Sequence, residues 1–107
     1  MTTRVILPRK SISEDLEVLF GFQDQMPFGT TISGTDITVI VASGVDPNPT
    51  AILDGSPSLV DSYFIKQNLT GGVGGVTYLL TCSVAVSGGL LLSRQAYLAV
   101  LDPAEEF

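Results

Sequence analysis

Histidine and tryptophan are missing from this chain, cysteine occurs once as Cys82, and only five residues are basic. Each absence removes a class of function. Without histidine, a serine or cysteine nucleophile has no partner for the usual His-dependent arrangement. The commonest transition-metal ligand is gone as well. A lone cysteine forms no intramolecular disulfide, so the fold needs no oxidising compartment, and inside an apolar strand it reads as a small buried hydrophobe. No apolar run approaches the ~20 residues of a membrane-spanning helix. At the start only Val5-Ile6-Leu7 precedes Pro8, too short for the apolar region of a secretory signal. These features predict a soluble protein made in the cytoplasm. The net charge of −6 opposes binding to nucleic acid.

What is present is a β-pattern. Hydrophobic residues make up 45% of 107, enough for one domain with a real core. Two dense apolar runs, Gly75–Val86 and Leu90–Leu101, flank Ser87-Gly88-Gly89. β-branched and aromatic residues at period two around a glycine pair predict a long antiparallel hairpin. On its first arm Tyr78, Leu80, Cys82, Val84 and Val86 share the predicted inner face, with Tyr78 placed to anchor the preceding corner through its hydroxyl.

Upstream, Arg4–Leu7 fits a short strand that Pro8 confines to an edge or arm position. Over Glu14–Phe22, Leu16, Val18, Phe20 and Phe22 line one face. Residues 14–20 also fit a helix, but the apolar face and the phenylalanine pair favour a strand. Residues 23–35 read as a loop with room for a short strand. Asp36–Ala42 is apolar on both faces, which predicts a central strand. Gly44–Thr50 is turn chemistry, and Ala51–Leu53 is a short strand ending at an Asp54-Gly55 turn. Leu59–Leu69 alternates again, with Tyr63, Ile65 and Leu69 facing in, before Gly71–Gly75 reverses the chain.

About seven strands with turn signals every 8–12 residues, and no stretch for a crossover helix, predict an all-β fold. The expected architecture is a single antiparallel β-sandwich, immunoglobulin-like and without a disulfide. Residues 1–13 form an N-terminal arm, 14–102 the sandwich and 103–107 a C-terminal tail.

Candidate sites weigh as follows. Gly71–Gly75 is followed by a strand and lacks the Gly-Lys-Ser/Thr of a phosphate loop. Asp36, Asp46, Asp54 and Asp61 match no calcium-loop spacing. Glu14 and Asp15 point to opposite faces of a strand, so they make no acid–base pair. No catalytic residue, cofactor or metal is therefore assigned. The charge distribution and the last strand say more. Residues 1–13 carry Arg4, Arg9 and Lys10 and no acid, +3, while residues 14–107 carry −9. Such an arm suits docking on an acidic neighbour, including another copy, or is a solvated terminus. The last strand is apolar on both faces, so it is either central in its sheet or covered by a partner. Arg94 interrupts it and is placed to pair with an acid on a neighbouring strand or chain. Arg4, Arg9, Lys10, Arg94, Tyr97 and Leu101 are the candidate partner contacts.

Several stretches resemble small proteins encoded in the structural-gene clusters of tailed bacteriophages. They are Thr70–Cys82, Gln95–Val100, the opening Leu7-Pro8-x-Lys10-Ser11 and Val41–Pro49, and together the resemblance covers nearly the whole chain. It implies an immunoglobulin-like virion component without a catalytic motif. The expected role is a multi-copy accessory protein docking on the head–tail connector or tail. Capsid decoration is the alternative, and a receptor- or carbohydrate-binding module the second alternative. The implied partners are other virion proteins and further copies of the chain, without nucleic acid or membrane, in a virion assembled in the bacterial cytoplasm.

Overall fold

Among the described residues, seven strands divide between two sheets whose inner faces meet. A computed structural model describes residues 3–6, 15–26 and 29–101 of the chain. In chain order the strands are β1 (Thr3–Ile6), β2 (Leu16–Gly21), β3 (Ile32–Ser43), β4 (Leu53–Val60), β5 (Phe64–Leu69), β6 (Thr77–Val86) and β7 (Leu90–Ala99). One sheet has the order β1-β7-β6-β3 and the other β2-β5-β4. Short 3-10 turns at Gln23–Gln25 and Pro49–Ile52 are the remaining regular structure among the described residues. The all-β, disulfide-free sandwich is as the sequence predicts.

The core follows the period-two pattern. Tyr78, Leu80, Cys82, Val84 and Val86 of β6 are buried, facing Val18 and Phe20 of β2 and Ile65 and Leu69 of β5. Ala96, Leu98 and Val100 close it from the last strand and Ile52 from the β3–β4 connection. Val86 pairs with Leu90 across Ser87-Gly88-Gly89, the expected hairpin.

Several details differ from the sequence reading, beginning with Ala51–Leu53. Ala51 and Ile52 belong to the 3-10 turn that Pro47 and Pro49 favour, and only Leu53 is in a strand. β1 runs parallel to β7, with Thr3 opposite Arg94 and Ile6 opposite Tyr97, while every other pairing is antiparallel. The two strands belong to opposite ends of the chain, so no hairpin dictates their direction. β3 is longer than expected, starts at Ile32, and is an edge strand rather than a central one. Leu59–Leu69 is not continuous: Asp61 and Ser62 take positive φ (50° and 65°) and turn β4 into β5. Short polar side chains tolerate that region without glycine.

Asp54-Gly55, expected to end a strand, lies inside β4 at a bulge. Asp54 pairs with Asn68 and Ser58 with Lys66, so three residues of β4 oppose Gln67 alone. Gln67 is buried in the core, where its Nε2 donates to the Gly55 carbonyl (3.1 Å) and the Asn68 carbonyl (2.8 Å). A polar side chain thereby satisfies a carbonyl that the irregular ladder leaves over.

The β5–β6 connection carries the chain from one sheet to the other. Gly72 there has φ +98°, and a Cβ on it would stand 2.8 Å from Val100 Cγ2. Conformation and space both demand glycine at this point.

Candidate interaction surface

β7 lies between β1 and β6, so its backbone is covered on both sides over Arg94–Tyr97. Three residues apart, Arg94 and Tyr97 belong to opposite faces of the sheet. Arg94 sits opposite the buried Cys82, and only 15% of its side chain is exposed. Its guanidinium donates to Asp24 Oδ1 at 2.5 Å, reaching the turn that follows β2. That hydrogen bond is the main reason the Asp24 carboxyl is held below its ordinary range. The acid expected opposite Arg94 is thus on the same chain, and the pair ties one sheet to the end of the other. Among the described residues Arg94 Nε is buried without a hydrogen-bond partner.

Beside this pair the sheets leave a slot of about 120 Å³. Val18, Phe20 and Gly21 form one wall, and Arg94, Gln95 and Ala96 the other. Ala96, the small side chain on the inner face of β7, leaves space at this point between the sheets. The slot has room for one small apolar side chain, and its charged wall is Arg94.

Tyr97 and Leu101 are half-buried. Tyr97 lies opposite Leu79, and Leu79 opposite Ile40, giving an apolar row across the outer face of the four-stranded sheet. Leu79 is nearly covered, but Ile40 at the β3 edge is 57% exposed, and Leu91 near the hairpin tip is 77% exposed. Arg4 stands opposite Gln95 in β1. Arg9 and Lys10 lie outside the described residues. Of the predicted contact residues whose side chains are described, Arg94 turns inward while Tyr97 belongs to the outer face. Sequence reasoning missed Ile40. Its signal was the apolar character of both faces of Asp36–Ala42, which also fits an edge strand with an exposed outer face.

At the pole of the sandwich opposite the hairpin tip, the Tyr78 hydroxyl joins two loops. It donates to Asp46 Oδ2 at 2.6 Å and accepts from the Val73 N–H at 2.9 Å. Asp46 Oδ1 accepts from the Asn48 N–H, closing the Asp46-Pro47-Asn48 turn. Burial first, then the hydrogen bond to Asp46, pushes the Tyr78 phenol up to about 12. Burial likewise raises the Cys82 thiol to about 12, with Asp36 adding to it. A thiol so buried and so weakly acidic is packing, not a nucleophile. The two bridged loops hold Val45 and Val73 outward, 82% and 41% exposed. Asp36, Asp46, Asp54 and Asp61 do not converge, and no group of three metal-ligating side chains occurs among the described residues.

No family model matches this chain, and no curated protein matches it.

Proposed function

We propose that this chain is a non-enzymatic structural protein of a tailed-bacteriophage virion, an immunoglobulin-like sandwich docking in many copies on the head–tail connector or tail. One observation carries the reading. Two of the stretches that resemble phage structural proteins, Val41–Pro49 and Thr70–Cys82, lie against each other: Val41 pairs with Tyr78 and Ser43 with Thr77, and the Tyr78 hydroxyl donates to Asp46. The segments that carry the resemblance thus build one end of the sandwich together, which supports reading them as one unit.

Strand order supports the immunoglobulin-like part of the reading. β2-β5-β4 corresponds to strands B, E and D of that fold, and β7-β6-β3 to G, F and C. Tyr78 near the start of β6, bonded back to the Val73 backbone, corresponds to the tyrosine corner of strand F. A sandwich with its single thiol buried suits assembly in a reducing bacterial cytoplasm. Docking rests on the basic arm, which steers the acidic body, and on the outer face around Tyr97 and Leu101. Symmetry multiplies each modest contact.

Quantitative mass spectrometry of purified particles of the encoding phage tests this. A ring-scale copy number is the expected result. A copy number near that of the major capsid protein moves the chain to capsid decoration, and absence from particles overturns the virion reading.

A further inference from the structure

The four open edges of the two sheets are unequally defended. β4 is interrupted by its bulge and carries Pro57. β2 is six residues long and presents an exposed Glu17. β1 is four residues long. β3 runs for twelve residues without proline, lysine or arginine, and its single charge is Asp36. Among the described residues no strand lies against its second edge. A long, nearly uncharged edge presents a row of backbone donors and acceptors that attracts another strand. Ile40, exposed on that edge, adds apolar surface to it.

The other end of the same sheet supplies the complement. β1 uses one edge on β7, and among the described residues nothing covers the other. Registers run across the sheet: Arg4 lies opposite Gln95, Gln95 opposite Thr81, and Thr81 opposite Thr38. Arg4 and Thr38 therefore end one row, and Asp36 lies two residues along β3 on the same face as Thr38. That stagger is about 7 Å along the strands. One sheet thus ends in a basic residue on one side and an acidic residue on the other, in adjacent rows. The segment containing β1 carries +3 and the rest of the chain −9.

We propose that the sheet continues from copy to copy: β3 of one chain pairs with β1 of the next, and Asp36 meets the next copy's Arg4. β1 and β3 point the same way within a chain, so copies related by rotation about an axis along the strands join them in parallel. Two different edges meet, so the contact is heterologous. It builds a ring if the rotation closes and a filament if it does not. This goes beyond the docking reading, because self-association is a property of the purified chain, whatever particle it joins.

Native mass spectrometry of the full chain over a concentration series reads the assembly. Species of three or more copies are expected. Asp36→Arg and Arg4→Asp each weaken them by about tenfold, since an attraction becomes a repulsion. The double variant Arg4→Asp/Asp36→Arg restores them. In parallel, oxidised Arg4→Cys/Asp36→Cys protein gives a ladder of covalent multimers, while the buried Cys82 stays unreacted; this arm holds even if Asp36→Arg fails to fold. A wild-type chain that is monomeric throughout, a ladder that stops at two copies, or a loss that the charge swap does not repair overturns the proposal.

Discussion

Tyr78 and Asp46, 32 positions apart, share a 2.6 Å hydrogen bond at the end of the core. The same phenol accepts from the Val73 N–H, so one oxygen joins the β3–β4 and β5–β6 loops, both of which cross between the sheets. Removing it leaves a carboxylate and an amide without their partner. Tyr78→Phe is expected to cost about 2 kcal/mol, the scale of a hydrogen bond to a charged group. The urea midpoint at neutral pH measures this, and an unchanged midpoint would show that water replaces the hydroxyl.

Alkaline pH acts through the same residue and through Cys82. Both are raised to about 12 in the folded chain, from ordinary values of 10.0 and 9.0. Between those values the unfolded chain gives up protons that the folded chain keeps, so unfolding gains on folding. Stability is whole below pH 9, falls as pH climbs from 9 toward 12, and the contribution of both groups is gone above that. Urea midpoints over this range read the slope. Tyr78→Phe/Cys82→Ala should flatten it, and an equally steep fall in that variant would assign the loss elsewhere.

The acid limb involves Asp24. Its carboxyl is lowered by Arg94, so its contribution is present above the ordinary value of 3.8 and disappears as pH falls through the depressed one. Asp24→Asn should lower stability at neutral pH, where the carboxylate's contribution is present, and make the acid-side decline shallower. Thermal midpoints between pH 2 and 6 compare the two proteins.

At Gly72, φ +98° and a 2.8 Å approach to Val100 Cγ2 act together. Gly72→Ala should destabilise by about 2 kcal/mol or more, from backbone strain plus the clash. In a double-mutant cycle, Val100→Ala should recover the steric part and leave the strain. Strict additivity of the two changes would remove the clash from the account.

Strands whose inner face alternates without interruption were the easiest to read. Tyr78 through Val86 is such a strand, and its two-residue period, glycine turn and return partner all agree. Other segments hid their structure because one signal stood for two geometries. Asp54-Gly55 reads as a turn, yet Gly55 with φ +77° serves a bulge that Gln67 secures from the opposite strand. That partner is twelve residues away and invisible to a local window. Asp61-Ser62 turns the chain without glycine or proline, so nothing punctuated it. β3 was misplaced because apolar residues on both faces fit a central strand and an uncovered edge equally well. Arg94 was singled out, but its partner Asp24 lies 70 positions earlier, beyond any spacing rule. Arg9 and Lys10 bear on the arm reading from sequence alone.

The pairing of β1 with β7 also sets an order of events in folding. Thr3 faces Arg94, so each rung of that ladder spans 91 residues, nearly the whole chain. During synthesis β1 has no β7 to pair with until β7 leaves the ribosome. Closing a loop of that length costs entropy that no local contact repays in advance, and such distant pairing slows the search for the native state. Until then β1 can pair instead with the β7 edge of another molecule, and the rate of synthesis sets how long that interval lasts.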